Sequence, residues 1–361
     1  MKYLCAAVLC LLALCATCRA APYDYDDYSA LERAVPDGAL DKSVNLDNAD
    51  LATGGQALLK GVQKELPGIL GNTMKNALAV FAIACLSALA MSILDGAGVK
   101  TAPKAVGIAT ALAITGTVMA NADGIVSTAA DAMNRLNSFS KVLIPTLAGA
   151  AAAQGGVNSA SVRSVATVLF SDGIISLINY GLIPMMYLHI AAITVGAATG
   201  NALVGKIADM LKWLSGGILK VVLIIYTTYI TLNGILAGTT DAVAAKAVKT
   251  TVSGMVPVVG GVISDAAESV MTGAAVIKNS IGIFGMFAVL GTLLSPFLLI
   301  GTQVVMFKLF SAFSAPLCET GTAKLIDGFG DAFSMLLGML AASAAVIIIS
   351  IALTIMAVSP L

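Results

Sequence analysis

Uncharged apolar stretches, each long enough to cross a lipid bilayer, recur from residue 76 to the end of the chain. Residues 76–94, 105–122, 280–307 and 332–361 contain no Asp, Glu, Lys or Arg. A hydrocarbon core about 30 Å thick needs roughly 20 consecutive apolar residues in a helix. Inside it every backbone N–H and C=O must be paired within the chain, which restricts such stretches to helices. A soluble core cannot absorb them. The chain is 58% hydrophobic and 11% charged, against about 25% charged residues in a typical soluble domain. The fold class that follows is all-α, a polytopic integral membrane helix bundle.

Other stretches are less regular. Residues 142–162 carry no charge but include Pro145, Gln154, Gly155, Gly156 and Asn158. They suit a short helix, or a re-entrant segment buried against protein. Residues 173–205 are uncharged apart from His189 and exceed one span. Asn179-Tyr180-Gly181 followed by Pro184 predicts a break there, giving a hairpin of two short helices that starts near Val165. Residues 213–237 form a further span, with Lys220 near enough to its start to reach the interface. The expected total is seven or eight membrane helices in a membrane domain of residues 75–361. Gly196/Gly200 and Gly234/Gly238 are small-residue pairs that allow close helix approach.

The front of the chain has a different character. Residues 1–20 read as a signal peptide: Lys2, an apolar run over residues 3–15, and Cys18-Arg19-Ala20 before a possible cleavage. A retained anchor is the alternative, and a lipoprotein reading at Cys15 is disfavoured by bulky Leu14. Residues 21–74 form an acidic extracytoplasmic arm, with Asp24, Asp26, Asp27, Glu32, Asp37, Asp41, Asp47 and Asp50. A short amphipathic helix is expected over residues 58–70, interrupted at Pro67. Lys100 and Lys104 then fall in the cytoplasm, as the positive-inside tendency asks, whereas Lys246 and Lys249 fall outside. Four of the six cysteines lie in the signal; Cys85 and Cys318 are too far apart in sequence to suggest a metal site or a disulfide framework.

Few residues invite chemistry. Pro257, Gly260 and Gly261 break the chain before a helix that carries Asp265 and Glu268 on one face, followed by Lys278. Such charges in an apolar helix need protein, a cavity or an interface beside them, which makes these six residues candidates for assembly or for a polar lining. A helix lying on the membrane surface is the plainer alternative. Asp172 and His189 are candidate intramembrane polar groups, as a proton relay, as a buried hydrogen-bonded structural pair or as charges near a helix end. Gly200 to Lys206 imitates the start of a phosphate loop, but Ile207 stands where Ser or Thr must hold magnesium. With one histidine and no nucleophile–base pair in view, no catalytic, cofactor or metal site is expected, and the chain reads as a non-enzyme. Lys plus Arg and Asp plus Glu balance at 20 each, so nothing points to nucleic acid.

The run Val256-Pro257-Val258-Val259-Gly260-Gly261-Val262-Ile263-Ser264-Asp265-Ala266, with Glu268, Gly273-Ala274 and Ile277-Lys278-Asn279, resembles the stage III sporulation protein AE family. Lys212-Trp213-Leu214 and Ile326-Asp327-Gly328-Phe329-Gly330-Asp331, each opening a long apolar helix, agree with it, as does the front end. The resemblance implies a polytopic protein of the mother-cell membrane around the forespore. It implies membership of a channel or secretion-like complex needed for late forespore gene expression. The implied partners are a cytoplasmic ATPase and ring-forming extracytoplasmic subunits, besides the lipid bilayer. A self-sufficient ion-coupled solute transporter is the alternative, motivated by broken helices at Pro184 and Pro257 with Asp172 and Asp265 nearby. The two halves show no clear inverted repeat.

Overall fold

The computed structural model describes residues 29–39, 51–97, 102–152, 157–255 and 260–356, the side chains of 29–30, 51, 95, 102–103, 157–163, 233–275 and 356 apart. A short helix α1 (Ser29–Ala34) precedes α2 (Leu51–Gly96), α3 (Ala102–Ala152) and α4 (Val157–Leu177). A π-helical turn (Ile178–Leu182) links α4 to α5 (Ile183–Thr199); α6 (Ala202–Met255), α7 (Gly260–Ser314) and α8 (Thr320–Met356) follow. Among the described residues there is no strand. The signal peptide and residues 21–28 and 40–50 of the acidic arm lie outside the described residues, as does Pro257, whereas residues 51–74 of the arm are the start of α2.

Among the described residues, six helical stretches are long and apolar enough to cross a membrane: Ala52–Leu94, Lys104–Ala152, Ser164–Thr199, Ala202–Leu232, Val276–Ser314 and Thr320–Ile355. The expected seven or eight becomes six through two mergers. In the first, residues 105–122 and 142–152 belong to one 51-residue helix, α3. The polar stretch between them stays helical because Ile125, Val126, Ala129, Met133, Leu136, Phe139 and Leu143 recur at helical spacing and are all buried. In the second, the expected hairpin at Pro184 is a continuous rod. Pro184 has no N–H and its ring crowds the carbonyl one turn back. The π turn absorbs this: Ile183 N–H donates to the carbonyl of Ile178, five residues back, and the helix carries on. The helix also runs through Pro67 without stopping.

Neighbour contacts give the register. Asp172 meets Asn137, Tyr187 meets Asp123, and Thr194 meets Thr115, so α4 and α5 descend α3 as one antiparallel rod. Thr110 meets Ser87, which sets α2 antiparallel to α3. Lys308 meets Asp327 and Asp331 while Gly282 abuts Ile351 and Ile355, so α7 and α8 are antiparallel along their length. Lys212 meets Asp331 and Tyr226 meets the carbonyl of Val346, so α6 runs parallel to α8. The end of α2, the start of α3 and the turns at 200–201 and 315–319 therefore lie towards one end of the bundle.

The α7–α8 pair is the centre. Its most apolar windows are 56% buried, against 22% for those of α2 and α6. Gly282 lets α8 approach α7 and Gly285 lets α3 approach it: a Cβ on the first would collide with Ile355 and on the second with Leu143. Phe307 lies against Phe329 and Phe333, with ring centroids 6.0 and 5.5 Å away.

Candidate functional site

The most concentrated polar arrangement in the described part is built on the first turns of α8. Asp327 and Asp331 are four residues apart, on one helix face, where two carboxylates alone would repel. Lys308 of α7 lies between them, its Nζ 2.7 Å from Oδ1 of each. Lys212 of α6 adds a second cation 2.8 Å from Asp331 Oδ1. The carboxylate of Asp331 is 13% exposed, while Lys212, Lys308 and Asp327 stay partly open. Two cations and two carboxylates thus close a neutral hub that fastens three helices at one depth.

The residues between the carboxylates shape this hub. Gly330 leaves room for the Lys308 stem, whose carbons would sit 3.1 to 3.3 Å from any Cβ there. Gly328 lets Ile193 of α5 approach, and its carbonyl lies 3.2 Å from His189 Nε2. His189 Nδ1 is 2.9 Å from the carbonyl of Ala208 on α6. A neutral imidazole can donate to only one of these two acceptors. His189 is 1% exposed and ties α5 to α6 and α8. Farther along the bundle, Tyr226 donates to the Val346 carbonyl at 2.8 Å, and Thr167 bonds Ser350 at 2.6 Å, which links α4, α6 and α8.

The two candidate intramembrane groups do not meet. Asp172 faces α3, 2.8 Å from Lys141 and accepting from Asn137 Nδ2 at 2.6 Å. Both Lys141 and Asp172 are nearly half exposed. His189 lies about 25 Å farther along the rod, at 1.5 Å per residue, and faces other helices. Gly260 and Gly261 open α7, and Asp265 and Glu268 follow in it, their side chains outside the described residues. Lys278 is 1% exposed, at the foot of the charge-free stretch of α7. The phosphate-loop-like run is a helix corner: Gly200 has φ +66°, Asn201 Oδ1 accepts the N–H of Leu203, and Gly196 packs on the backbone of Gly205.

The hub residues Lys212, Asp327 and Asp331 stand in the two elements, Lys-Trp-Leu and Ile-Asp-Gly-Phe-Gly-Asp, that agreed with the sequence resemblance carried by the run from Val256. A family model described as stage III sporulation protein AE matches residues 43–358. The chain belongs to the stage III sporulation protein AE family. A curated relative, stage III sporulation protein AE of Bacillus subtilis (strain 168), is 26% identical over 189 residues. That match covers 52% of this chain and 47% of the relative, so it spans about half the length of the curated relative. No solved structure matches. With six membrane-capable helices, the chain is a multi-pass member of this sporulation family.

Sequence reasoning did not single out Lys308, Asp327, Asp331 or Lys212 as a site. A signal was present: Lys308 is the first charge after the uncharged run 279–307, and Asp327 and Asp331 are carboxylates one turn apart before another uncharged run. Nothing in the sequence says that the two runs pack antiparallel with these ends together.

Proposed function

We propose that this chain is the membrane-embedded core subunit of a channel or secretion-like complex joining mother cell and forespore. In this reading it resides in the mother-cell membrane around the forespore, with residues 21–74 outside the cytoplasm, and late forespore gene expression depends on it. The family match across residues 43–358 carries the reading. The hub supports it, because its charges neutralise one another and fasten helices, which suits a scaffold better than a catalyst. The partners we propose are a cytoplasmic ATPase and ring-forming extracytoplasmic subunits.

Deleting the gene in a spore former should arrest development after engulfment, and the full chain supplied in trans should restore spores. Normal spore yield in the deletion strain contradicts the reading. Asp265 and Glu268 stand on a helix ahead of the uncharged run of α7. The double variant Asp265→Ala, Glu268→Ala should be inserted at normal levels yet fail to co-purify with the partner subunits. Co-purification at wild-type levels removes these two residues from assembly. The transporter alternative loses one of its two motivations, since the helix at Pro184 is continuous and not interrupted.

A further inference from the structure

Four pieces of the chain enclose a cavity of about 690 Å³: residues 36–39 and stretches of α2, α3 and α7. Glycines let the walls meet. At Gly61 of α2 a Cβ would lie 2.7 Å from Leu294 of α7. At Gly291 of α7 the carbonyl of Ala39 fills the space a Cβ would need, which seats residues 36–39 against the helix. Ala39 is 7% exposed and Leu31 of α1 is 2% exposed, so this wall is anchored at both ends. The volume falls within the range of about 300–1,000 Å³ that small-molecule pockets occupy.

The lining carries three carboxylates, Asp37, Glu65 and Asp131, and three cations, Lys60, Lys64 and Arg135. These charges do not satisfy one another. Lys60 and Lys64 are like charges one turn apart on α2, a repulsive spacing. Among the described residues none of the six stands in an ion pair, whereas every charge of the hub is paired. Glu65 is the sharpest case. Its Oε2 is buried and accepts no hydrogen bond, a state that costs free energy until a donor arrives. The wall formed by α7 adds a second acceptor. Pro296 has no N–H, so the carbonyl of Thr292, four residues back, loses the amide that an unbroken helix would give it. Thr292 and Pro296 both line the cavity.

Acceptors without donors call for an ammonium group, and two lysines with an arginine call for a carboxylate. One molecule that carries both meets the two demands together. We propose that this cavity binds a short peptide by its free ends, the ammonium at Glu65 and the Thr292 carbonyl, the carboxylate at Lys60, Lys64 and Arg135. A guanidinium suits that carboxylate because it presents paired donors. Leu58, Ala132 and Leu294 supply apolar wall for the peptide between its ends. Peptide binding of this kind is independent of the sporulation role and is measured without it.

Equilibrium dialysis of the detergent-solubilised full-length chain against radiolabelled trialanine tests the site. Unlabelled competitors are trialanine acetylated at the amine, amidated at the carboxylate, or blocked at both ends, together with free alanine. Each blocked end removes a charge-assisted contact, so either block should weaken binding at least about tenfold. Free alanine, which cannot reach across the cavity, should also compete at least about tenfold more weakly. Glu65→Gln should abolish discrimination at the amine alone, so that this variant binds free and acetylated peptides equally. Lys64→Gln with Arg135→Gln should do the same for the carboxylate. Wild-type chain that does not bind trialanine overturns the proposal, as does equal competition by the doubly blocked peptide or by alanine. Discrimination that survives in both variants places the contacts elsewhere and overturns the assignment to this cavity. Spore yield of the deletion strain is scored separately, so a failure of the sporulation role and a failure of the peptide site give different results.

Discussion

Two ion pairs with nearly the same geometry show how much their surroundings matter. Lys141–Asp172 and Lys212–Asp331 are both 2.8 Å long. The first joins α3 to α4 with both side chains nearly half exposed, and water or polar neighbours can replace either partner. The second ends on a carboxylate that is 13% exposed and also held by Lys308, in a hub that reaches α6, α7 and α8. A shared distance therefore says little about energy. The cost of breaking a pair depends on what is left buried when one partner goes.

That contrast orders the following expectations. Asp331→Ala removes two contacts at once, leaving Lys212 without its carboxylate and Lys308 with Asp327 alone, so it should destabilise the detergent-solubilised protein by about 3 kcal/mol, read as the largest fall in Tm of the series. Gly282→Val forces a side chain into Ile355 and should cost about 1–3 kcal/mol by overpacking. His189→Phe removes the one ring N–H available to the carbonyls of Ala208 and Gly328, and a loss of about 1 kcal/mol is expected. Asp172→Asn should cost less than about 1 kcal/mol, as exposed pairs do. If Asp172→Asn lowers Tm as much as Asp331→Ala, exposure is not what separates the two pairs.

Much of the fold was legible because hydrocarbon imposes simple rules. The runs without charge at 76–94 and 280–307, and the described part of the run from 332, lie in membrane-capable helices, and the run from Val256 to Asn279, with the elements around Lys212 and Asp327 in agreement, pointed to the family. The helix count was not legible, for local reasons. At Pro184 the sequence shows a residue that cannot continue an α-helix, and only tertiary packing along α3 makes a one-residue π insertion cheaper than a turn. At residues 123–141 the polar content suggests a loop, yet one buried face suffices to keep the helix going. The pairing of Asp172 with His189 failed for a similar reason. Both lie on one rod, but they point at different neighbours: Asp172 at Lys141, and His189 at the backbone of α6 and α8.

The continuous rod through Pro184 makes Ser164–Thr199 one stretch long and apolar enough to cross the membrane, and a single crossing is the account's central claim. Reporter fusions that distinguish the two sides, placed after residues 100, 155, 200, 257 and 317, test this most directly. The account predicts one side for 100, 200 and 317 and the opposite side for 155 and 257. Fusions at 155 and 200 on the same side would make this stretch a hairpin and contradict the six-span bundle.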